Sequence, residues 1–337
     1  MPQSLFRMFV HRLRSQGLAS SIRSAVSYLL RYGPRSMPEL TSLVVEVTTF
    51  CNLECPGCWR SIRRRGGKWR NRHMSTERFR YLIQQVPTAW YLTTQGTGEP
   101  TLHPELPQLI RIAHESGKFR VIRMSSNGLA RDVPYYEDLF RAGLTNVRIS
   151  VDALDQTVAD KVRTGTSVQV LERRLRELGR RFPGKISIGI VVRAENVEHI
   201  ADLLSRLNQM GTFSVELQAF CDFGYPPGIL SPQARQAVAA NLAGLVPRFE
   251  NLSIPGLDII LPQRDVCRAP WNAPAVTVDG YLAPCCILMD EELIHFGNVF
   301  ETSFPDLWQS EPFEDFRRIM EHKLPRECEG CGFFEMR

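Results

Sequence analysis

The cysteines of this chain fall in two groups near opposite ends of the sequence. Cys51, Cys55 and Cys58 share one short segment, Cys267, Cys285, Cys286, Cys328 and Cys331 share another, and Cys221 stands apart. Nine is an odd count in a 337-residue chain, which is long enough to bury its own core, so a disulfide framework is not expected. Clustered thiols point instead to metal or iron–sulfur ligation in a reducing compartment. The 43% hydrophobic and 23% charged residues are the balance of a globular protein, not a disordered one.

The first thirty residues are interrupted by Arg7, His11, Arg12, Arg14 and Arg23, so no secretory signal is read, and no apolar run is long enough to cross a bilayer. A cytoplasmic location is expected. Residues 1–80 hold 15 Lys/Arg against 4 Asp/Glu, a net of +11, which leaves −6 for the rest. Leu18, Ile22, Val26, Leu29 and Leu30 fall on one helical face that Gly33-Pro34 ends. Residues 1–40 thus read as a basic amphipathic helical extension, which packs on its own domain or docks on a membrane surface. Nucleic-acid binding is not expected, because no aromatic-basic interleaving accompanies the charge.

From residue 43 the chain alternates. Strand-like runs at Leu43–Thr48, Ala89–Thr94, Phe119–Ser125, Asn146–Val151, Ile186–Val192 and Phe213–Phe220 are separated by helical periodicity. Ser75 opens one helix, with Arg78 where a capping box would have an acid. Six βα units predict an α/β partial (β/α)6 TIM-like barrel over residues 41–225, with its site at the strand C-terminal ends. Residues 226–263 read as a linking helical and strand segment. From residue 264 to 337 the texture changes to short strands, turns and cysteines. Val276–Val278 and Tyr281–Ala283 form a hairpin around Asp279-Gly280.

The first group, CNLECPGC, follows directly on the first strand. Three thiolates on one loop can ligate three irons of a cubane and leave the fourth open. Structural zinc usually wants four ligands. The loop resembles the cluster motif of the radical SAM superfamily. Gly96-Thr97-Gly98-Glu99-Pro100 after the second strand resembles that family's GGEP element, with Thr97 where glycine is usual. Ser126-Asn127-Gly128 ends the third strand and Ser150-Val151-Asp152 the fourth, and Arg163-Thr164-Gly165 follows. The resemblance implies a [4Fe–4S] cluster on Cys51, Cys55 and Cys58, whose open iron is chelated by S-adenosylmethionine. It implies reductive cleavage to a 5'-deoxyadenosyl radical that takes hydrogen from a substrate C–H. Gly98 and Glu99 would lie by the methionine amine, Ser150 by the ribose or carboxylate, and Arg163 opposite the carboxylate; Ser126, Asn127 and Asp152 complete the set. The family's aromatic residue before the third cysteine is Gly57 here, and Trp59 would cover the adenine instead. Glu99 could alternatively serve as a helix N-terminal acid.

The second group resembles the SPASM/twitch auxiliary-cluster domain, a small α+β unit. Cys267 with Pro270-Trp271, Asp279-Gly280, Pro284-Cys285, Gly297-Asn298 and Cys328-x2-Cys331 occur in its order. The resemblance implies one auxiliary [4Fe–4S] cluster on Cys267, Cys285, Cys328 and Cys331, with Cys286 as the alternative to Cys285. A zinc ribbon is the competing reading.

Cys221 and Asp222 follow the sixth strand, where barrels carry catalytic groups. Cys221 is either packing or a hydrogen-atom donor, and Asp222 a base or a substrate contact. The segment Arg60–His73, with Arg60, Arg63, Arg64, Arg65, Lys68, Arg70 and Arg72, is either a solvated loop or a site for an acidic substrate. The expected activity is oxidation or epimerisation of a small sugar or alcohol, with a flavodoxin- or ferredoxin-type electron donor. The alternatives are peptide modification and a non-catalytic zinc or iron–sulfur scaffold.

Overall fold

The computed structural model describes residues 40–222, 225–255, 267–329 and 331. The amphipathic stripe expected between Leu18 and Leu30 lies outside them.

Six parallel strands form in sequence order: β1 (Ser42–Val45), β2 (Ala89–Thr94), β3 (Phe119–Ser126), β4 (Asn146–Ser150), β5 (Ile186–Val192) and β6 (Phe213–Ala219). Each neighbour pair is hydrogen-bonded in parallel register, such as Thr93 with Arg123 and Ile149 with Ile188. The connecting helices are α1 (Trp59–Arg65), α2 (Thr76–Gln85), α3 (Leu106–Glu115), α4 (Val133–Arg141), α5 (Gln156–Val162), α6 (Val168–Arg181) and α7 (Ile200–Met210). The expected partial barrel is borne out. Strand alternation divides the side chains: on β3, Ile122, Met124 and Ser126 are buried toward the helices, whereas Val121, Arg123 and Ser125 are half-buried on the inward face. Helix periodicity does the rest. Val168, Leu171, Leu175 and Leu178 make one buried stripe on α6. Each such side chain contributes about 1.5–3 kcal/mol on full burial. Caps set the helix starts. Ser75 accepts the Arg78 N–H and Asp155 the Val158 N–H, each leaving one fewer orphan amide in the first turn.

The sheet continues past both ends of the six. After α8 (Pro232–Leu245), β7 (Leu252–Ser253) adds in parallel beside β6. Beyond a short α9 (Ala269–Asn272), the predicted hairpin is present as β8 (Ala275–Val276) and β9 (Leu282–Ala283). Gly280 takes φ +96° in its turn, a region that glycine enters without a Cβ penalty. The hairpin does not stand alone in a separate domain, because β8 pairs in parallel with β1 and covers that edge of the barrel. Two helices follow, α10 (Phe304–Trp308) and α11 (Glu311–His322). Phe296 stacks on Phe313 at 4.0 Å, and Trp308 meets Phe313 edge-on. Arg317 lies 1% exposed among them, donating to Pro270 O and Trp308 O at 2.8 Å each. Among the described residues, no helix is long and apolar enough to cross a membrane.

Candidate active site

Cys51, Cys55 and Cys58 sit on the loop between β1 and α1, at the C-terminal mouth of the barrel. The Cys58 N–H donates to Cys55 O at 3.1 Å, folding the CPGC segment into a turn. Cys58 is also the N-cap of α1, and the Arg60 and Ser61 amides point at its sulfur. Burial pushes all three thiols up, Cys58 to about 11, and each charged thiolate would raise a neighbour further. The set is therefore protonated at neutral pH until a metal displaces the protons.

Four elements clamp this loop. Arg60, 3% exposed, donates to Thr49 O at 3.2 Å and Leu53 O at 3.1 Å and pairs with Glu54. The Glu54 N–H donates to Thr164 O at 3.0 Å, Asn127 Nδ2 to Asn52 Oδ1 at 2.8 Å, and the Glu99 N–H to Phe50 O at 2.7 Å. Gly98 allows the last contact, since a Cβ there would lie 2.3 Å from Thr48 O.

Several residues expected to touch the cofactor brace this scaffold. Glu99 is 2% exposed. Its Oε1 accepts from the Thr101 amide and from the Thr101 and Ser126 hydroxyls, and its Oε2 accepts the Asn127 N–H at 2.6 Å. It caps the short 3-10 turn Pro100–Leu102, so the helix-end alternative describes its side chain. Asn127 spends its amide on Asn52 and Leu129, and Ser126 bonds Glu99 and Tyr136. Asp152 accepts the Val191 N–H at 2.8 Å and pairs with Arg163 at 3.1 Å. Arg163 is different. Its charge acts directly on the Cys55 and Cys51 thiols, and although burial opposes that charge, Asp152 and the thiols outweigh it and raise its pKa. Ser150 ends β4 on the inward, half-buried face.

Trp59 does not stand in for the missing aromatic residue. Its indole N–H donates to Asp290, with Arg63 stacked on the ring at 5.1 Å. The space beside Gly57 is filled from β6: a Cβ at Gly57 would lie 2.8 Å from the Phe220 ring. Arg193 lies over that ring at 4.5 Å and is held by Glu195. Phe220 carries no recognisable motif, and only the glycine at position 57 hints at it. Glu46 was also not legible. Buried on β1, it accepts from Thr97 and from the Val278 N–H, which gives the threonine in the glycine-rich loop a purpose. Cys221 is half-buried past β6, and Asp222, expected as a base or a substrate contact, accepts the Tyr225 N–H at 2.7 Å.

The basic segment is corrected as well. Its first half is helix α1, not loop. Arg63 pairs with Asp290 and Glu292, Arg64 with Glu54, and Arg72 with Asp279 and Glu291. Arg63 and Arg72 join the barrel to the C-terminal region and Arg64 holds the cluster loop, while Arg65, Lys68 and Arg70 are exposed.

In that region, Cys267, Cys285, Cys328 and Cys331 line one cavity walled by Pro270, Leu288, Phe316 and Met320. Burial pushes Cys285 well up and Cys328 to about 12, with the charges of neighbouring cysteines adding to both. Cys286 is exposed and is not among the lining residues; its charge acts on Arg123 inside the barrel. The geometry thus separates the adjacent pair in favour of Cys285.

Residues 45–207 match the model of the radical SAM superfamily, and residues 267–332 match that of an iron–sulfur cluster-binding domain, SPASM. The chain carries a radical SAM domain followed by a SPASM domain. The PqqA peptide cyclase of Xanthomonas axonopodis pv. citri is 25% identical over 306 residues, covering 87% of this chain and 80% of the relative. Two solved structures share the fold. Native anSMEcpe with bound AdoMet has a TM-score of 0.70 at 18% identity and covers 86% of each chain. Streptococcus suis SuiB bound to S-adenosylmethionine has a TM-score of 0.67 at 16% identity, covering 94% of this chain and 76% of that one. As a radical SAM protein with a SPASM domain, the chain uses S-adenosylmethionine, a [4Fe–4S] cluster and auxiliary iron–sulfur chemistry. The residues present fit these groups. Three half-buried thiols share one loop at the barrel mouth beside an arginine, and four more line one apolar cavity.

Proposed function

We propose that this chain is a radical SAM enzyme that modifies a peptide. The observation that carries the reading is its relationship to PqqA peptide cyclases along 87% of its length, through both cysteine regions. Oxidation or epimerisation of a sugar or small alcohol, which the sequence alone favours, has less support.

In this reading Cys51, Cys55 and Cys58 hold the catalytic cluster, and Cys267, Cys285, Cys328 and Cys331 hold the auxiliary one. When bound, the reduced cluster and S-adenosylmethionine supply the power to take a hydrogen atom from an unactivated C–H bond. This chain's own residues orient and enclose. Arg163, fixed by Asp152, presents a charge to a carboxylate beside the cysteines. The Gly96–Glu99 backbone, drawn against Thr48 and Phe50 by Gly98, offers close main-chain contacts. Phe220, backed by Arg193, supplies an apolar surface next to Gly57 and helps exclude water. A flavodoxin- or ferredoxin-type protein would deliver the electron.

The test is anaerobic turnover. Reduced holoenzyme is incubated with S-adenosylmethionine and, one at a time, the small peptides encoded beside its gene. Formation of 5'-deoxyadenosine should rise with the true peptide, whose mass should change, and Cys55→Ala should abolish both. Stimulation by a sugar or alcohol with no peptide effect would overturn the reading.

A further inference from the structure

The inward face of the barrel carries an arginine with no acidic partner of its own. Register places Arg123 beside Thr93 on β2 and Asn146 on β4. Its Nε donates to Thr93 Oγ1 at 2.8 Å, and its guanidinium lies over the Tyr91 ring at 4.6 Å. These contacts fix the plane of the group without neutralising it. Among the described residues, Arg123 forms no ion pair and its terminal nitrogens make no hydrogen bond.

Its neighbour Arg148 also turns inward. It crosses β5 at Gly189, where a Cβ would lie 3.1 Å from Arg148 Cδ, tight enough that a side chain there would press on the arginine. The Arg148 guanidinium donates to Ser125 Oγ at 3.2 Å and Gln95 Oε1 at 3.1 Å and pairs with Glu216 at 3.1 Å. Glu216 is thus engaged by Arg148, and two cations share one carboxylate inside the barrel. Burial pulls the Arg123 pKa down; the charge of Glu216 opposes this and that of Arg148 adds to it. A half-buried guanidinium with a like-charged neighbour is costly until an anion joins it. A planar fork held by its Nε has two terminal nitrogens left, the pair that meets a carboxylate side-on.

We propose that Arg123, with Arg148 beside it, binds a carboxylate of the substrate inside the barrel, about 10 Å below the C-terminal end of β3. The identity of that substrate as a peptide rests on the reading of the preceding section. The carboxylate belongs either to an acidic side chain or to the peptide's C-terminus. Two strands along the sheet, in register with Arg123, Val44 and its neighbours Ala275, Ala283 and Met289 form a small apolar cluster that suits the aliphatic part of the same ligand.

The experiment is calorimetric binding to anaerobic holoenzyme saturated with S-adenosylmethionine, using four probes. Three are pentapeptides: Ac-Ala-Ala-Glu-Ala-Ala-NH2, its glutamine counterpart, and acetylated penta-alanine with a free C-terminus. The fourth is glutarate. The same series is run on Arg123→Gln and Arg123→Lys, with iron content and the visible spectrum confirming that each variant holds its clusters. At least one carboxylate peptide should bind tenfold or more tightly than the glutamine peptide. That preference should vanish in Arg123→Gln and be partly kept in Arg123→Lys. The glutamate probe and the free-C-terminus probe distinguish the two sources. Equal binding of all three peptides, or a preference that survives Arg123→Gln, would overturn the carboxylate site and leave the peptide reading standing. Glutarate binding that depends on Arg123, with no peptide bound, would keep the site and remove the peptide. Failure of all four probes removes both.

Discussion

Glu46 and Thr97 tie the first strand of the barrel to the glycine-rich loop. Glu46 Oε1 accepts the Thr97 N–H at 2.8 Å and its hydroxyl at 2.5 Å, while Oε2 accepts the Val278 N–H from the β8–β9 turn at 3.2 Å. One buried carboxylate thereby fixes the loop beside the cysteines and the hairpin of the auxiliary region. Gly96 leaves the room, since a Cβ there would lie 2.5 Å from Glu46 Cγ.

Thr97→Val keeps the shape and removes the hydroxyl donor. Burial raises the Glu46 pKa, so the charge-assisted figure does not apply; a hydrogen bond contributes about 0.5–1.5 kcal/mol net, and the variant should lose stability of that order. It should also bind S-adenosylmethionine several-fold more weakly, because the loop is no longer pinned. Thr97→Ser should behave like wild type. Thermal melting and equilibrium dialysis check both effects, and a valine variant equal to wild type in both would show that the hydroxyl is idle.

Cys285 lines the four-cysteine cavity, and its neighbour Cys286 does not. Holoprotein with two cubanes should carry about eight irons. Cys285→Ser should lose about half of them, whereas Cys286→Ser should keep them all. Iron assay with electron paramagnetic resonance of the reduced protein reads the difference. The reverse pattern would show that the cavity is not the cluster site.

The strands and most helices were legible because alternation and periodicity report directly on which side chains are buried. The Pro284-Cys285 order pointed to the thiol that lines the four-cysteine cavity. Other features depended on partners far away in the chain. The helix Trp59–Arg65 is short, arginine-rich and without an acid in its first turn, so local rules favoured a loop. Its partners Asp290 and Glu292 lie more than 200 positions on, where spacing carries no signal. The space at Gly57 is filled by Phe220 from another strand for the same reason. Glu99 was legible in its alternative role. A residue placed just before Pro100 has the position of a helix cap, and both of its oxygens are spent there and on the next strand's loop.

Asp290 should matter more than Glu292 for docking the auxiliary region. Asp290 is 9% exposed in its side chain and takes both Arg63 and the Trp59 indole, whereas Glu292 is 58% exposed. Losing the buried acceptor leaves Arg63 with only the exposed Glu292 and takes away the indole's acceptor, so Asp290→Ala should cost about 1–3 kcal/mol. Glu292→Ala should cost less than about 1 kcal/mol, as exposed ion pairs do. Denaturant melts of the two variants, with auxiliary-cluster retention as a second readout, check the contrast. Equal losses would mean that the contact is electrostatic at long range rather than a buried hydrogen-bonded joint.

His103 should make the fold sensitive to mild acid. It lies 1% exposed at the end of the Pro100–Leu102 turn. Its Nε2 is 2.9 Å from Met74 O and must donate, while its Nδ1 accepts the Glu105 N–H at 3.1 Å. Both nitrogens are satisfied only in the neutral ring, since a second proton on Nδ1 would face a donor. Burial lowers the pKa from its ordinary 6.5, and the nearby His73, lowered by burial too, adds to the effect. With the folded value depressed, the unfolded chain binds the proton more readily. Stability is then full above the ordinary histidine value and is lost as pH falls through it toward the folded value. The thermal midpoint of anaerobic holoprotein should therefore drop between about pH 7.5 and pH 5.5. His103→Gln can still reach Met74 O but does not titrate, so it should flatten the drop without abolishing it, His73 remaining. A variant with the same slope as wild type would assign the acid sensitivity to other groups.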